Sequence, residues 1–293
     1  CAACVAGTYK VATGSADCTL CGADKYSSTV GAIQESTCSS CPANTVSEAG
    51  NNALSSCACT NGWYGQGGEN TCSACPAGQY KDLRGGSTCI PCASGKYSTV
   101  VGAKTAGTCQ GCPINTVSAE GSDELTDCTC TIGWTGTDGT ESCSMCLAGT
   151  YKTAIGSADC TSCGINKYST TVGAMHASTC QQCSANSASP AGSGAITDCT
   201  CNTGYTGADG GSCSVCPAGT YKIGTGSAAC TSCSVNTYST AVGATLAKTC
   251  KECLANSDSA VKSDSDKDCV CGPGWHGSNG AACSACSVGS WCF

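Results

Sequence analysis

Bulky apolar side chains are scarce in this sequence. Phenylalanine occurs once, aromatic residues make up 5% of the 293 positions, and most of the 41% counted as hydrophobic is cysteine and alanine. A globular chain of this length normally buries Leu, Ile, Val and Phe in a common interior, and there is too little of them here to build one. Charge is thin as well: 11% of residues are charged and the net charge is −7. That balance excludes the basic stripe a nucleic-acid partner requires. No apolar run approaches the ~18 residues of a membrane-spanning helix, so no span is predicted. No leader of signal-peptide composition precedes Cys1, and the sequence reads as a mature chain or a window from a longer one. No stretch sustains a 3.6-residue period, which argues against helices. The two histidines, His176 and His276, occupy unrelated positions, so no nucleophile–His arrangement is predicted. The reading is of a protein that is not an enzyme.

Cysteine and glycine are abundant, at 35 and 39 residues. Cysteine at this density belongs to an oxidising compartment, which predicts a secreted or cell-surface protein. The cysteines are periodic. A CxxC segment opens at Cys1, Cys72, Cys143, Cys213 and Cys283, at spacings of 71, 71, 70 and 70 residues. Each period carries CxxC, CxxC, CxxC and CxC, separated by 13, 16, 15 and 11 or 12 residues. The predicted units are repeat 1 (1–71), repeat 2 (72–142), repeat 3 (143–212), repeat 4 (213–282) and a truncated fifth repeat or junction (283–293).

Each period divides into four short loops. The first carries AGTYK, as in Ala6 to Lys10 and Ala148 to Lys152. The second carries Tyr97, Ser98, Thr99, Val100, Val101, Gly102 and Ala103. The third opens on Asn44, Asn115, Asn186 or Asn256, and the fourth reads CxCxxG[WY]xG, with Trp63, Trp134, Tyr205 or Trp275. Gly and Ser punctuate every loop, favouring turns and two-stranded ribbons. The fold class predicted is therefore a set of small disulfide-rich repeats, an elongated rod of short β-ribbons and loops with almost no helix. The recurring aromatic rings are expected to pack over neighbouring disulfides.

Two pairing rules fit the spacing. The last Cys of each group can bond to the first of the next, or the bonds can interlock two by two, as Cys1–Cys18 with Cys4–Cys21; sequence leaves the connectivity open. In either case loops this small need crosslinks, each contributing roughly 3 kcal/mol in the chain-entropy model. A zinc ribbon would also space CxxC pairs this way, but the CxC groups and the near absence of His oppose it. The alternating acids Asp264, Asp266 and Asp268 resemble the start of a calcium loop, yet Cys269 stands where that loop needs Gly. No metal or cofactor is predicted. No N-x-[ST] acceptor occurs, and O-linked sugars are expected at Ser98, Thr99, Ser169, Thr170, Ser239 and Thr240.

The segments CPAGTYK (216–222), GSADCTSC (156–163), YSTTVGA (168–174) and CTCNTGYTG (199–207) resemble the ephrin-receptor-like cysteine-rich repeat. That repeat is found in long extracellular proteins, many of them from protists and algae. The fourth loop is similar to the closing half of an epidermal-growth-factor-like module, whose last two cysteines bond to each other. Carried over, that implies Cys59–Cys72, Cys130–Cys143, Cys201–Cys213 and Cys271–Cys283. The same last-to-first rule then gives Cys4–Cys18, Cys21–Cys38 and Cys41–Cys57. It closes with Cys286–Cys292 and leaves Cys1 over as an intermolecular partner. At the end, Cys292 replaces the Lys of AGTYK. The resemblance implies an extracellular array and no reaction. Two roles follow: a self-associating subunit of a cell-surface or flagellar-hair (mastigoneme-like) fibre, or the stalk or ligand-binding ectodomain of a receptor or adhesin.

Overall fold

The computed structural model describes residues 2–68, 72–139 and 143–287. Among them there is no α-helix. The described residues form 16 two-stranded ribbons with two residues per strand, and eight 3₁₀ turns of three residues. The small disulfide-rich class read from the sequence is the fold observed.

The CxxC groups explain the ribbons. In repeat 1, strand β1 (Thr8–Tyr9) pairs with β2 (Thr19–Leu20), and β3 (Lys25–Tyr26) pairs with β4 (Ser39–Ser40). Strands β2 and β4 are the two residues between the cysteines of Cys18-x-x-Cys21 and Cys38-x-x-Cys41. Along an extended strand, residues three apart point to opposite faces. The two sulfurs of such a group therefore face different neighbours. Cys18 bonds back to Cys4 and Cys21 forward to Cys38. Each loop is thus one ribbon closed by one bridge, with Cα–Cα distances of 5.6 to 5.8 Å, in the usual range for a disulfide.

Every ribbon is entered through a tight turn. In the first loop Thr8 N–H donates to Val5 O at 3.1 Å and Gly7 has φ +85°. A positive φ at the third turn residue is the type II pattern, which selects Gly or Asn. The second and third loops place Asp24, Asn44, Asn166, Asn186 and Asn236 in this conformation, at φ of 61° to 63°. The recurrent Asn of the third loop is a backbone requirement.

Successive loops are tied by backbone bonds. Gly7 N–H donates to Ser27 O (2.8 Å), Lys10 N–H to Ala32 O (3.0 Å) and Gly31 N–H to Cys4 O (2.7 Å). Tyr9 bridges Ala32 in parallel, and Tyr80, Tyr151 and Tyr221 bridge Ala103, Ala174 and Ala244. Among the described residues the buried apolar set is only cysteine and those four alanines. The recurring aromatic rings of the loops stay half-buried: a two-residue strand offers no sheet face to cover them, and the Tyr97 and Tyr168 hydroxyls reach Gln110 and Gln181 across their ribbons at 3.1 Å. By packing, residues fall into two units, one of 1–131, 135–144 and 154–158, the other of 132–134, 145–153 and 159–293. Both use the same loops.

One position departs from the pattern. Lys262 has φ +71° where the other repeats have Gly50, Gly121 and Gly192. A side chain in this region costs about 1–2 kcal/mol, against about 0.5–1 kcal/mol of extra backbone entropy for Gly. Lys262→Gly is therefore expected to stabilise the Cys253–Cys269 loop by up to about 1 kcal/mol. Slower amide exchange across that loop would show it; unchanged or faster exchange would contradict it.

Candidate functional site: the joint between repeats

Most charged side chains here lie at the surface, but one lysine in each of repeats 2, 3 and 4 does not. Lys81 is 1% exposed, and Lys152 and Lys222 are each 4% exposed. All three are the Lys of the first-loop YK pair. An ammonium group is expensive to bury without partners, and the partners are main-chain oxygens of two loops. Lys81 Nζ donates to Trp63 O at 2.7 Å and to Gly85 O at 2.6 Å. Trp63 belongs to the fourth loop of one repeat and Lys81 to the first loop of the next, so the ammonium clamps the joint. Burial holds the Lys81 pKa below the ordinary lysine value.

Backbone bonds surround the clamp. Gly62 N–H donates to Lys81 O (2.8 Å) and Gly85 N–H to Cys59 O (2.9 Å); Asn61 Nδ2 donates to Asp82 O (2.8 Å). Gly62 has φ +82°, and a Cβ on it would lie 2.3 Å from Gly102 O. The arrangement recurs. Gly204 N–H donates to Lys222 O (2.9 Å), Gly226 N–H to Cys201 O (2.8 Å), and Lys222 Nζ to Tyr205 O (2.7 Å) and Gly226 O. Lys152 Nζ donates to Trp134 O at 2.7 Å. Because these acceptors are carbonyls, the bonds hold whether the fourth loop supplies Trp or Tyr.

Residue type and spacing alone do not mark these lysines as buried. A signal was present: in a chain with so few charges, Lys10, Lys81, Lys152 and Lys222 keep one repeat position. Their burial makes them chemically silent. Under mild acetylation of the folded protein, Lys81, Lys152 and Lys222 are expected to stay unmodified while the exposed Lys96 and Lys167 react. Mass mapping that found all five modified at one rate would remove the clamp.

The cysteines singled out from the sequence are placed as follows. Cys4–Cys18, Cys21–Cys38, Cys41–Cys57 and Cys59–Cys72 are bonded in repeat 1. So are Cys130–Cys143, Cys201–Cys213 and Cys271–Cys283 at the fourth loops. Cys1 and the Cys286–Cys292 pairing lie outside the described residues. The hydroxyl residues divide: Ser98, Ser169 and Ser239 are 1% exposed, each Oγ accepting the N–H two residues on at 3.4 Å, whereas Thr99, Thr170 and Thr240 are exposed. In the acidic loop, the Asp268 carboxylate turns to its own 3₁₀ turn and accepts from Asp264 and Ser265 N–H at 2.9 and 3.0 Å. Among the described residues no three His, Cys, Asp or Glu are grouped to hold a metal, and no helix is long and apolar enough to cross a membrane.

The repeat found by these bonds has a known counterpart. The family model described as tyrosine-protein kinase ephrin type A/B receptor-like matches residues 1–38, 62–109, 133–180 and 204–250. Three of the four matches begin on the joint glycine, at Gly62, Gly133 and Gly204. No curated protein matches the chain.

Proposed function

We propose, for a chain that belongs to the ephrin-receptor-like cysteine-rich repeat family, a structural role outside the cell as the subunit of a surface or flagellar-hair fibre, without catalysis. The observation that carries this is the joint. It is made of backbone groups, one lysine and glycine close approaches, so one repeat can stack on the next whatever the exposed loops contain. A fold held by disulfides requires an oxidising environment, which supports a secreted or surface location. The four repeats, with boundaries at 72, 143, 213 and 283, are proposed as equivalent stacking units.

The proposed O-glycans belong on Thr99, Thr170 and Thr240, whose hydroxyls reach solvent, and no longer on the buried serines of the same segments. Intact mass before and after chemical deglycosylation tests this, and a native mass near 28.6 kDa would end it. Cys1 is proposed as a covalent link to another chain, with Cys286–Cys292 closing the last loop.

A second reading, the stalk or ectodomain of a receptor or adhesin, is favoured by the receptor description of the matching family model. Electron microscopy of the purified chain separates the two. Filaments with an axial repeat support the fibre; isolated particles at every concentration support the stalk.

A further inference from the structure

The joint between repeats 1 and 2 departs from the other joints at two positions. In the fourth loops of repeats 2 and 3 the residue after the aromatic ring is threonine. Thr135 Oγ1 donates to Ala158 O at 3.2 Å and Thr206 Oγ1 to Ala228 O at 3.0 Å. In repeat 1 that residue is Tyr64, and it is 38% exposed. In the first loops of repeats 1, 3 and 4 the residue before the Tyr of the YK pair is also threonine. Its hydroxyl closes its own turn: Thr8 bonds to Val5 O, Thr150 to Leu147 O and Thr220 to Pro217 O, at 2.7 to 2.8 Å. In repeat 2 that residue is Gln79. Each departure gives up a bond that other copies make. Among the described residues neither the Tyr64 hydroxyl nor the Gln79 amide takes another partner.

The two departures converge on one place. Tyr64, Pro76, Gln79, Thr88 and Cys89 line a depression of about 270 Å³. Its frame is two ribbons: Trp63–Tyr64 pairs with Ser73–Ala74, and Gln79–Tyr80 pairs with Ile90–Pro91. The Cys75–Cys89 bridge links them, so the lining residues are held before any ligand arrives, which lowers the cost of binding.

The lining chemistry selects the ligand. None of these side chains is charged, which leaves a phosphate or carboxylate without a partner. The Tyr64 and Pro76 rings supply apolar surface, while the Gln79 amide and the Thr88 hydroxyl can each donate and accept. A pyranose sugar has the matching set: a C–H face that packs on a ring, and neighbouring hydroxyls that donate and accept. The volume lies near the lower limit of about 300 Å³ for small-molecule pockets and suits one sugar ring. We infer that the joint between repeats 1 and 2 binds a neutral pyranose, stacked on Tyr64 and held by Gln79 and Thr88. The site is independent of the fibre reading.

Saturation-transfer NMR of the oxidised chain with methyl glucoside, methyl galactoside, methyl mannoside and N-acetylglucosamine tests this, alongside Tyr64→Thr and Gln79→Thr. Both variants install the residue that other repeats carry at that place, so the fold should hold; disulfide mapping checks it. The expected result is binding of at least one of these sugars with a Kd on the order of 1 mM. Tyr64→Thr should weaken it about tenfold through the lost ring, and Gln79→Thr about fivefold through one lost hydrogen bond. A free polysaccharide and an O-glycan on another copy present the same ring. Sedimentation of the natively glycosylated chain with an excess of the bound sugar separates these sources: oligomers that dissociate assign the glycan of another copy, and an unchanged mass assigns a separate polysaccharide. If no sugar binds, or if binding survives unchanged in the double variant, the inference is overturned. A proline-rich peptide that binds through Tyr64 where no sugar does would also overturn it.

Discussion

Full reduction of the disulfides at neutral pH is expected to unfold the whole chain. The expectation rests on what is missing from the interior. Once the bridges open, the buried apolar side chains among the described residues are thiols and four alanines, and Ala burial contributes little on the usual scale of area removed from water. Each bridge closes a loop of 12 to 17 residues in sequence separation, worth roughly 3 kcal/mol. A folded domain has a net stability of only about 5–15 kcal/mol, so the loss of a few bridges already exceeds it. The ribbons cannot compensate, since an isolated two-stranded hairpin is marginal in water. Reduced and alkylated protein should show coil-like circular dichroism, a hydrodynamic radius near that of an unfolded chain of this length, and amide exchange without protection. A retained protected core would refute a sulfur-built interior. Removal of one bridge, as in Cys92→Ser with Cys109→Ser, should instead loosen its own loop and the two adjoining ones, because each loop bonds mainly to its neighbours.

The fold class was legible because its determinants are local. Cysteine spacing fixes loop size, and Gly and Asn at constant offsets mark the turns, so ribbons without helix follow from the sequence directly. The joint was much less legible. Lys81 donates to the carbonyl of Trp63, eighteen residues before it, and Gly62 is confined by Gly102, forty positions further on. Neither relation shows in a pattern of residue types, since the acceptors are carbonyls that every residue carries. The hydroxyls illustrate the same limit. Ser98 and Thr99 are adjacent and chemically alike, yet the pleat of a two-residue strand followed by a turn buries one and exposes the other.

Gly78→Ala and Gly95→Ala are expected to differ sharply although the two glycines share one conformation. Gly78 has φ +78° and Gly95 has φ +77°. An alanine at either position takes the same left-handed strain, about 1–2 kcal/mol. Their surroundings separate them. A Cβ on Gly78 would lie 2.1 Å from Gly121 O and 3.0 Å from Ser122 O, whereas on Gly95 it would meet nothing within 4 Å. At Gly78 the chain must therefore retreat. Retreat breaks Gly78 N–H to Ser98 O (2.7 Å) and strains Cys92 N–H to Gly78 O (2.8 Å), two bonds that tie the first loop to the second. With about 1–3 kcal/mol for each buried group left unpaired, Gly78→Ala should cost more than about 3 kcal/mol and open the Cys75–Cys89 loop, while Gly95→Ala stays within the conformational cost. Asn at 95 should be near neutral, because Asn166 and Asn236 already hold that position in repeats 3 and 4. Amide exchange over residues 75–112, read for all three variants, decides the matter. Equal effects at 78 and 95 would mean that backbone conformation alone, and not the close approach of neighbouring loops, makes glycine necessary there.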